Sequence, residues 1–414
     1  MAALLLAPQQ AVAYSVLAHE SMVDSAWDDV IVPMLRARFR GADAATITNA
    51  RAFAYGGSVI QDLGYYPFGS HFFTNLVHYT RSGDFVEALI RGARDVNEYA
   101  FALGALAHYT SDTTGHPLAI NRSVPLVYPK LRAKFGDEVT YVEDPKSHIM
   151  VEFAFDVVQV ANGAFLPEAY HDLVGFQVAT DLLDRAFQET YGLEMKDVFV
   201  SEDLAIGSFR YAVGTLIPQI TRVAWEKKRS DIEKLRPNVQ RSAFVYTYTR
   251  AQYEKEFGKS YKRPGVFARL FVFVVRVLPK IGPLRTLAFK APTPEAERLF
   301  GESFKAGRER YRARLEAARE NRLNLVNADF DTGEPTTRGE YTLADETYAE
   351  LLDRLTSKIS MTVPDAMRAE ILRFYGTVDV SKAHDEKDRK ELEKIAKGLA
   401  ILKSNPEGTK ITKE

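Results

Sequence analysis

The stretch 106–121, LAHYTSDTTGHPLAIN, most constrains what this chain can form, because it sets His108, Asp112 and His116 at strict four-residue intervals. In a helix, side chains at i, i+4 and i+8 share one face and lie one turn apart. Imidazole and carboxylate groups are ligands that zinc prefers, and a central carboxylate can bridge two ions. Each histidine alone reads more simply as an ordinary core or surface residue, but the three groups together favour a metal site.

The composition narrows the choice of ligands. The 414 residues include no cysteine and eight histidines, so only histidine, aspartate and glutamate side chains can form a zinc site here. The formal net charge is −1, which gives no global field that would attract nucleic acid. We therefore expect no stable nucleic-acid partner. A length of 414 residues and a hydrophobic fraction of 46% predict a globular chain with a sizeable core.

Two further stretches carry ligand-type residues. Asp144 followed by Pro145 is typical of a helix start, and the predicted helix then places His148 and Glu152 at i and i+4. Upstream, a glycine- and proline-broken loop at 64–69 lies between Asp62 and His71. Loops on a rigid scaffold often present ligands, but these two residues could equally be a turn residue and a helix-start residue. His78 is interpreted as structural.

Aromatic side chains crowd the same loop. Tyr65, Tyr66 and Phe68 lie between the two candidate ligands. Packing is the simpler interpretation of such a group, and lining of a substrate pocket is the sharper one. We keep these three residues as candidate substrate-binding residues.

The N-terminal residues resemble the end of a signal peptide. Ala11, Val12 and Ala13 form an A-x-A pattern that predicts cleavage before Tyr14, although no basic segment precedes it. The alternative is a frayed N-terminus that is retained. Cleavage would make residues 1–13 a signal-peptide remnant and the protein secreted or periplasmic. It would also free the Tyr14 amine five residues before His19.

The strings GSHFF with Asp62 upstream, LGALAHYTSDTTGH and KSHIMVEFAFD resemble the metal-binding segments of the bacterial zinc-dependent phospholipase C family. The resemblance implies an all-α, multi-helix bundle with up to three zinc ions in a cleft and a helical C-terminal extension. The first implied zinc ligands are Asp62, His71, His108 and Asp112. The second implied set is His116, His148 and Glu152. The third implied set is the Tyr14 amino and carbonyl groups, His19 and a bridging Asp112.

One departure keeps the substrate open. The step from Asp112 to His116 is shorter than in the bacterial phospholipases and is similar to that of glycosylphosphatidylinositol-specific phospholipase D. The fungal single-strand nucleases share the same zinc framework. The resemblance thus predicts a zinc-dependent phosphodiester hydrolase, foremost a phospholipase C-like enzyme acting on phospholipid, in which Asp62 orients or deprotonates a water. A D-type phospholipase, a nuclease and a non-catalytic zinc-stabilised envelope protein are the alternatives.

The remaining chain is predicted to be mainly helical, with a loop and a candidate hairpin between 121 and 143. No acidic residue occurs from 257 to 294, and the basic, apolar segment 264–290 could contact a membrane surface. A buried helix with snorkelling arginines explains that segment equally well. The predicted units are a catalytic domain at 14–225, a basic and apolar helical region at 226–325, a linker at 326–342 and a helical C-terminal region at 343–414.

Overall fold

The computed structural model describes residues 16–161, 177–211, 290–357, 363–382 and 384–404. Every regular element in these ranges is helical, and the described residues contain no strand beyond one isolated bridge between Ala328 and Pro335. This confirms the predicted all-α fold class. The predicted domain boundaries remain predictions. None of the helices in the described ranges is long and apolar enough to cross a membrane.

The first part of the chain forms a sequence of short and medium helices whose starts follow local capping rules. The side chain of Asp95, for example, accepts a hydrogen bond from the backbone N–H of Glu98 at the start of the longest one. The helices are α1 Val16–Asp24, α2 Val32–Arg38, α3 Ala44–Val59, α4 His71–Tyr79, α5 Ser82–Gly92, α6 Val96–Gly115, α7 Asn121–Val127, α8 Pro129–Phe135 and α9 Pro145–Ala161. A 3-10 turn spans Ile60–Tyr65, and π turns span Trp27–Ile31 and His116–Ile120.

The later described ranges add seven helices, and the longest of them has a capped N-terminus with a proline in its first turn. Thr293 accepts a hydrogen bond from the N–H of Ala296, and Pro294 occupies the first turn, where its missing N–H costs nothing. These helices are α10 Thr180–Tyr191, α11 Met195–Val198, α12 Glu202–Tyr211, α13 Pro294–Arg319, α14 Thr342–Ser357, α15 Asp365–Tyr375 and α16 Glu386–Ser404. A 3-10 turn lies at Val380–Lys382.

Helix α6 is the centre of the fold. It is buried on all sides from Tyr99 to Gly115, as expected for a helix that other helices surround completely. Glycines allow α3 and α6 to approach closely. A Cβ added to Gly57 would lie 1.9 Å from the carbonyl oxygen of Phe101, and one added to Gly104 would lie 1.9 Å from that of Ala54. The polar side chains of α6 are therefore held deep inside the protein.

The C-terminal half packs on the same core. The hydroxyl of Tyr311 in α13 donates to the carbonyl oxygen of Leu103 in α6 at 2.9 Å. The rings of Phe300 and Phe155 stack with centroids 4.6 Å apart, which joins α13 to α9. Most buried apolar side chains of both halves belong to one hydrophobic cluster. Residues after 290 therefore help to hold the helices that carry the candidate ligands.

One secondary-structure prediction was wrong. The stretch between 121 and 143 contains helices α7 and α8 instead of a loop with a hairpin. The prolines of this stretch are compatible with these helices, because Pro129 occupies the first turn of α8 and Pro125 lies in the short α7. Helix α7 matters for the site, since its first residue, Asn121, contacts a candidate ligand, as described below.

Candidate metal centre

Helix α6 places two candidate ligands one turn apart in the core. His108 and Asp112 are both buried, and the Nε2 atom of His108 lies 3.0 Å from Oδ2 of Asp112. The π turn that follows α6 begins at His116, whose Nε2 lies 3.7 Å from the other oxygen of Asp112. Asp112 therefore lies between two imidazoles, in the central position that the four-residue spacing predicted.

The first group of ligand atoms joins Asp62, His78 and His108, whose ligand atoms all lie within 4.8 Å of one another. Nε2 of His78 is 3.5 Å from Oδ1 of Asp62 and 3.6 Å from Oδ2 of Asp112. The 3-10 turn that carries Asp62 is tied to α4, because the hydroxyl of Thr74 donates to the carbonyl oxygen of Gln61 at 2.7 Å. Turn and helix thus hold this group from two sides.

The geometry does not bring His71 to this group. His71 is the first residue of α4 and is exposed, whereas His78 lies two turns further along α4 and is buried. The two residues share a helix face, but about 10 Å of helix separates them. The inner end of α4, with His78, is the part that reaches Asp62, and the role of His71 as a zinc ligand stays a prediction.

Backbone carbonyls orient the two histidines of the first group. Nδ1 of His108 lies 2.9 Å from the carbonyl oxygen of Ser58, and Nδ1 of His78 lies 2.9 Å from that of Thr74. A carbonyl oxygen can only accept, so each Nδ1 carries a proton and each Nε2 is directed toward the carboxylates. This arrangement prepares both Nε2 atoms to bind a cation.

A second group lies on the other side of Asp112. The ligand atoms of His19, His108 and Asp112 are all within 4.8 Å of one another, and Nε2 of His19 is 3.4 Å from Oδ1 of Asp112. The ring of His19 stacks on that of His108, with centroids 4.2 Å apart. The predicted partner Tyr14 lies outside the described residues.

A third group joins α9 to the π turn. Nδ1 of His148 lies 2.8 Å from Oε1 of Glu152, as expected for an i, i+4 pair, and Nε2 of His116 lies 3.9 Å from the same oxygen. Asp331 completes this group: its Oδ1 is 2.8 Å from Nδ1 of His116. The ligand-type atoms of Asp331 and the two histidines all lie within 4.8 Å of one another.

Sequence reasoning missed Asp331. It is buried, although it belongs to the turn-rich stretch that was predicted as a linker at 326–342. The signal in the sequence was weak, because an aspartate in a run such as NADFDTGEPT is usually a solvated turn residue. The neighbouring Asp329 is buried too, but its carboxylate caps the local turn by accepting from the backbone N–H of residue 331 at 2.8 Å, whereas the carboxylate of Asp331 contacts His116.

The charges of these buried groups depend on one another. Burial opposes protonation of His78, but the attraction of Asp112 and Asp62 outweighs burial and raises the pKa of His78 to about 10. Burial lowers the pKa of His148 to about 3, and positive charge on His116 acts in the same direction. In the protein alone, histidine protons therefore supply part of the positive charge that the carboxylates require.

The donor set fits divalent zinc. The side chains of Asp62 and Asp112 are fully buried, and no oxygen of either carboxylate accepts a hydrogen bond of good geometry from the described residues. A buried carboxylate without a donor costs about 1–3 kcal/mol or more of folding free energy, and a bound cation would remove that cost. Imidazole nitrogens and carboxylate oxygens are the donors that zinc takes when thiolates are absent.

The three candidate substrate-binding residues lie at different depths. Tyr65 is buried, and its ring centroid is 6.4 Å from that of His78. Tyr66 is partly buried and packs on Phe209 with centroids 4.1 Å apart. Phe68 is exposed and has a positive φ of 62°, an uncommon conformation for an aromatic residue. Only Tyr65 adjoins the candidate ligands directly.

The predicted membrane-contact segment 264–290 lies outside the described residues except for Lys290. The predicted cleavage site before Tyr14 also lies outside the described residues.

Comparison with known protein families supports the interpretation of these residues as a metal centre. Residues 18–199 match the family described as zinc dependent phospholipase C. The matched stretch contains every ligand-type residue of the three groups except Asp331. Searches among curated proteins and among solved structures found no match.

Proposed function

We propose that this chain, whose residues 18–199 match the family described as zinc dependent phospholipase C, is a zinc-dependent phosphodiester hydrolase that cleaves phospholipid in the manner of a phospholipase C. The observation that carries the proposal is the convergence of Asp62, His78, His108 and Asp112 in the core, with two carboxylates that lack hydrogen-bond donors. Buried ionisable groups with strongly shifted pKa values cluster preferentially at functional sites.

The proposed ligands fall into three sets. Asp62, His78, His108 and Asp112 form the first set, with His78 taking the place that was predicted for His71. His116, His148 and Glu152 form the second. His19, Asp112 and the amino and carbonyl groups of Tyr14 form the third. Zinc bound by these side chains would supply a Lewis acid that lowers the pKa of water and neutralises charge at phosphorus.

The protein itself would orient the reactants. In the proposed reaction the oxygen of a water attacks phosphorus, the bond from phosphorus to the glycerol oxygen breaks, and a proton passes to that oxygen. We assign to Asp62 the role of orienting the attacking water, since one oxygen of a carboxylate can accept a hydrogen bond while the other binds metal. Tyr65, Tyr66 and Phe68 are the proposed contacts of the substrate, with the buried Tyr65 closest to the reacting groups.

Secretion is part of the proposal. Cleavage before Tyr14 would free an α-amino group for the third set of ligands, five residues before His19. Zinc content, measured by atomic emission, should then be higher in protein that begins at Tyr14 than in protein that keeps residues 1–13. Equal zinc content in the two forms would contradict the role of the amine.

Phosphorus NMR of the products tests the reaction class. Zinc-loaded protein beginning at Tyr14 is incubated with mixed micelles of phosphatidylcholine, and His108→Gln serves as the disabled variant, with His71→Gln as its control. We expect phosphocholine from the wild type and the control, and none from His108→Gln. Phosphatidic acid would instead indicate D-type cleavage. No turnover of lipid, with cleavage of single-stranded DNA, would move the assignment to the nucleases.

The role of Asp62 has a separate test. In Asp62→Asn the amide oxygen can still bind metal, but the side chain no longer carries the charge that orients a water. We expect turnover of phosphatidylcholine to fall by about 10²-fold or more, a typical loss when a group acting on the attacking water is removed. Full turnover with the same zinc content would rule out this role.

A further inference from the structure

The segment from Asn327 to Tyr341, here called the strap, forms a closed loop that is fastened to the metal-binding helices. Its two arms are joined by a hydrogen bond from the N–H of Thr336 to the carbonyl oxygen of Asn327 at 3.0 Å. The carbonyl oxygen of Ala328 accepts from the hydroxyl of Ser82 at 2.6 Å, at the start of α5. These bonds hold the tip of the strap, with Asp331, against the third group of candidate ligands.

The carboxylate of Asp331 is saturated with donors. Its Oδ1 accepts from Nδ1 of His116 at 2.8 Å. Its Oδ2 accepts from the hydroxyls of Tyr79 at 2.8 Å and Tyr341 at 2.5 Å. All four side chains are buried. Two tyrosines thus fix the carboxylate, and the carboxylate in turn fixes one edge of the His116 ring.

The backbone of Asp331 reaches the second histidine of the same group. Its carbonyl oxygen accepts from Nδ2 of Asn121 at 2.7 Å. Because Nδ2 donates there, Oδ1 of Asn121 faces Nε2 of His148 as an acceptor, at 3.0 Å. The proton of His148 is therefore on Nε2, and Nδ1 presents its lone pair toward Glu152. Asp331 thus fixes the orientation of both imidazoles of the third group.

We infer that Asp331 is a positioning residue for zinc at the second set of ligands. It holds His116 so that Nε2 faces Asp112 and Glu152, and through Asn121 it holds His148 so that Nδ1 faces Glu152. A carboxylate or carbonyl that accepts from the second ring nitrogen fixes the tautomer and the orientation of a metal-binding histidine and raises its basicity. Asp331 lies outside residues 18–199, which match the family.

This inference rests on the proposed zinc site, and its test measures metal binding instead of hydrolysis. Asp331→Leu removes every acceptor of the side chain, and Asp331→Asn keeps the shape and one acceptor. Asp329→Asn is the matched control, because Asp329 shapes the same turn without contacting either histidine. Circular dichroism and thermal unfolding establish that each variant is folded.

The first readout is the dissociation constant of zinc, obtained by competition with a chelator. Loss of a group that orients a metal-binding histidine typically weakens metal affinity by about 10–100-fold, so we expect a loss of that order at one site in Asp331→Leu. The loss in Asp331→Asn should be smaller, and Asp329→Asn should retain wild-type affinity. Unchanged affinity at every site in Asp331→Leu would overturn the inference.

The second readout is a spectrum of the metal itself. In protein loaded with cadmium-113, one NMR resonance should shift in Asp331→Asn, because the ring orientation at one site changes, while the others should stay in place. A spectrum of Asp331→Asn identical to that of the wild type would contradict the assignment even if overall stability falls. A wild type that binds no metal at His116 and His148 would overturn it as well. Full metal effects without lipid turnover would leave the inference standing and reject the proposed function.

Discussion

Oδ1 of Asp331 lies 2.8 Å from Nδ1 of His116, although 215 positions of the chain separate the two residues. The contact joins a turn-rich stretch near the C-terminal helices to the helix that carries the central ligands. The metal centre therefore draws on two distant parts of the sequence, and variants in either part should affect metal binding.

Replacement of the histidines of α4 distinguishes the two ligand assignments. His78→Gln should lose one zinc equivalent, because Nε2 of His78 faces both Asp62 and Asp112. His71→Gln should keep its zinc, since His71 is exposed and lies at the other end of α4. Zinc per chain, measured by atomic emission after dialysis, decides between them. Loss of zinc in His71→Gln alone would restore the original prediction.

Local spacing explains which parts of the site could be predicted. The pairs His108 and Asp112, and His148 and Glu152, follow from helical periodicity, which is a property of neighbouring residues. The choice between His71 and His78 does not, because both lie on nearly the same face of α4. What separates them is how deeply each end of α4 enters the core, and that depends on packing of the whole fold.

The strap shows a second limit. Its residues have the composition of an exposed turn, and burial of Asp331 depends on donors from Tyr79, Tyr341 and His116. These donors are far apart along the chain, so no local pattern could identify the site. Similarly, α7 was missed because residues 121–143 show few periodic apolar runs and several turn-type or strand-type residues.

Replacement of Gly333 tests whether the strap must lie close to α6. Gly333 has a φ of 74°, and an added Cβ would be 2.7 Å from the carbonyl oxygen of Thr113. Gly339→Ala is the control, because Gly339 also has a positive φ, 85°, but nothing within 4 Å of the added Cβ. Backbone strain alone should cost about 1–3 kcal/mol of unfolding free energy in both variants.

Chemical denaturation of these two variants measures the difference. Gly333→Ala should be the less stable of the pair and should also bind zinc more weakly at the His116 site, because the clash displaces the tip of the strap. Equal unfolding free energies and equal zinc affinities would show that the strap does not need this contact.

The crossing of α3 and α6 gives a prediction about stability. Gly104→Ala places a Cβ 1.9 Å from the carbonyl oxygen of Ala54, so the two helices must separate. The free energy of unfolding should then fall by about 2–5 kcal/mol, as for other disruptions of a packed core. Gly301→Ala, in an open position of α13, should instead gain about 0.5–1 kcal/mol. Urea unfolding of both variants checks the signs, and a stabilised Gly104→Ala would contradict the close crossing.

A carboxylate pair away from the metal centre predicts a pH dependence. Burial and then the charge of Asp184 raise the pKa of Glu202 from its ordinary value of 4.5 to about 8. Between these values the unfolded chain releases the proton and the folded protein keeps it, so the contribution of Glu202 to stability falls as pH rises from 4.5 to about 8.

Glutamine does not ionise, so unfolding of the variant Glu202→Gln no longer releases this proton. Its thermal midpoint should therefore fall less than that of the wild type when the pH is raised from 5 to about 8.5, beyond the window of Glu202 ionisation. Asp203→Asn, at an exposed neighbouring position, is the control. Parallel pH profiles for wild type and Glu202→Gln would show that the carboxylate pair does not retain its proton.

Anomalous diffraction at the zinc absorption edge, from crystals of protein grown with zinc, tests the central claim most directly. The account predicts one peak between Asp62, His78 and His108, and another at Nε2 of His116 beside His148 and Glu152. The side chain of Asp331 should contact the Nδ1 edge of His116 in the same map. Peaks confined to other residues, or no anomalous signal inside the helical core, would contradict it.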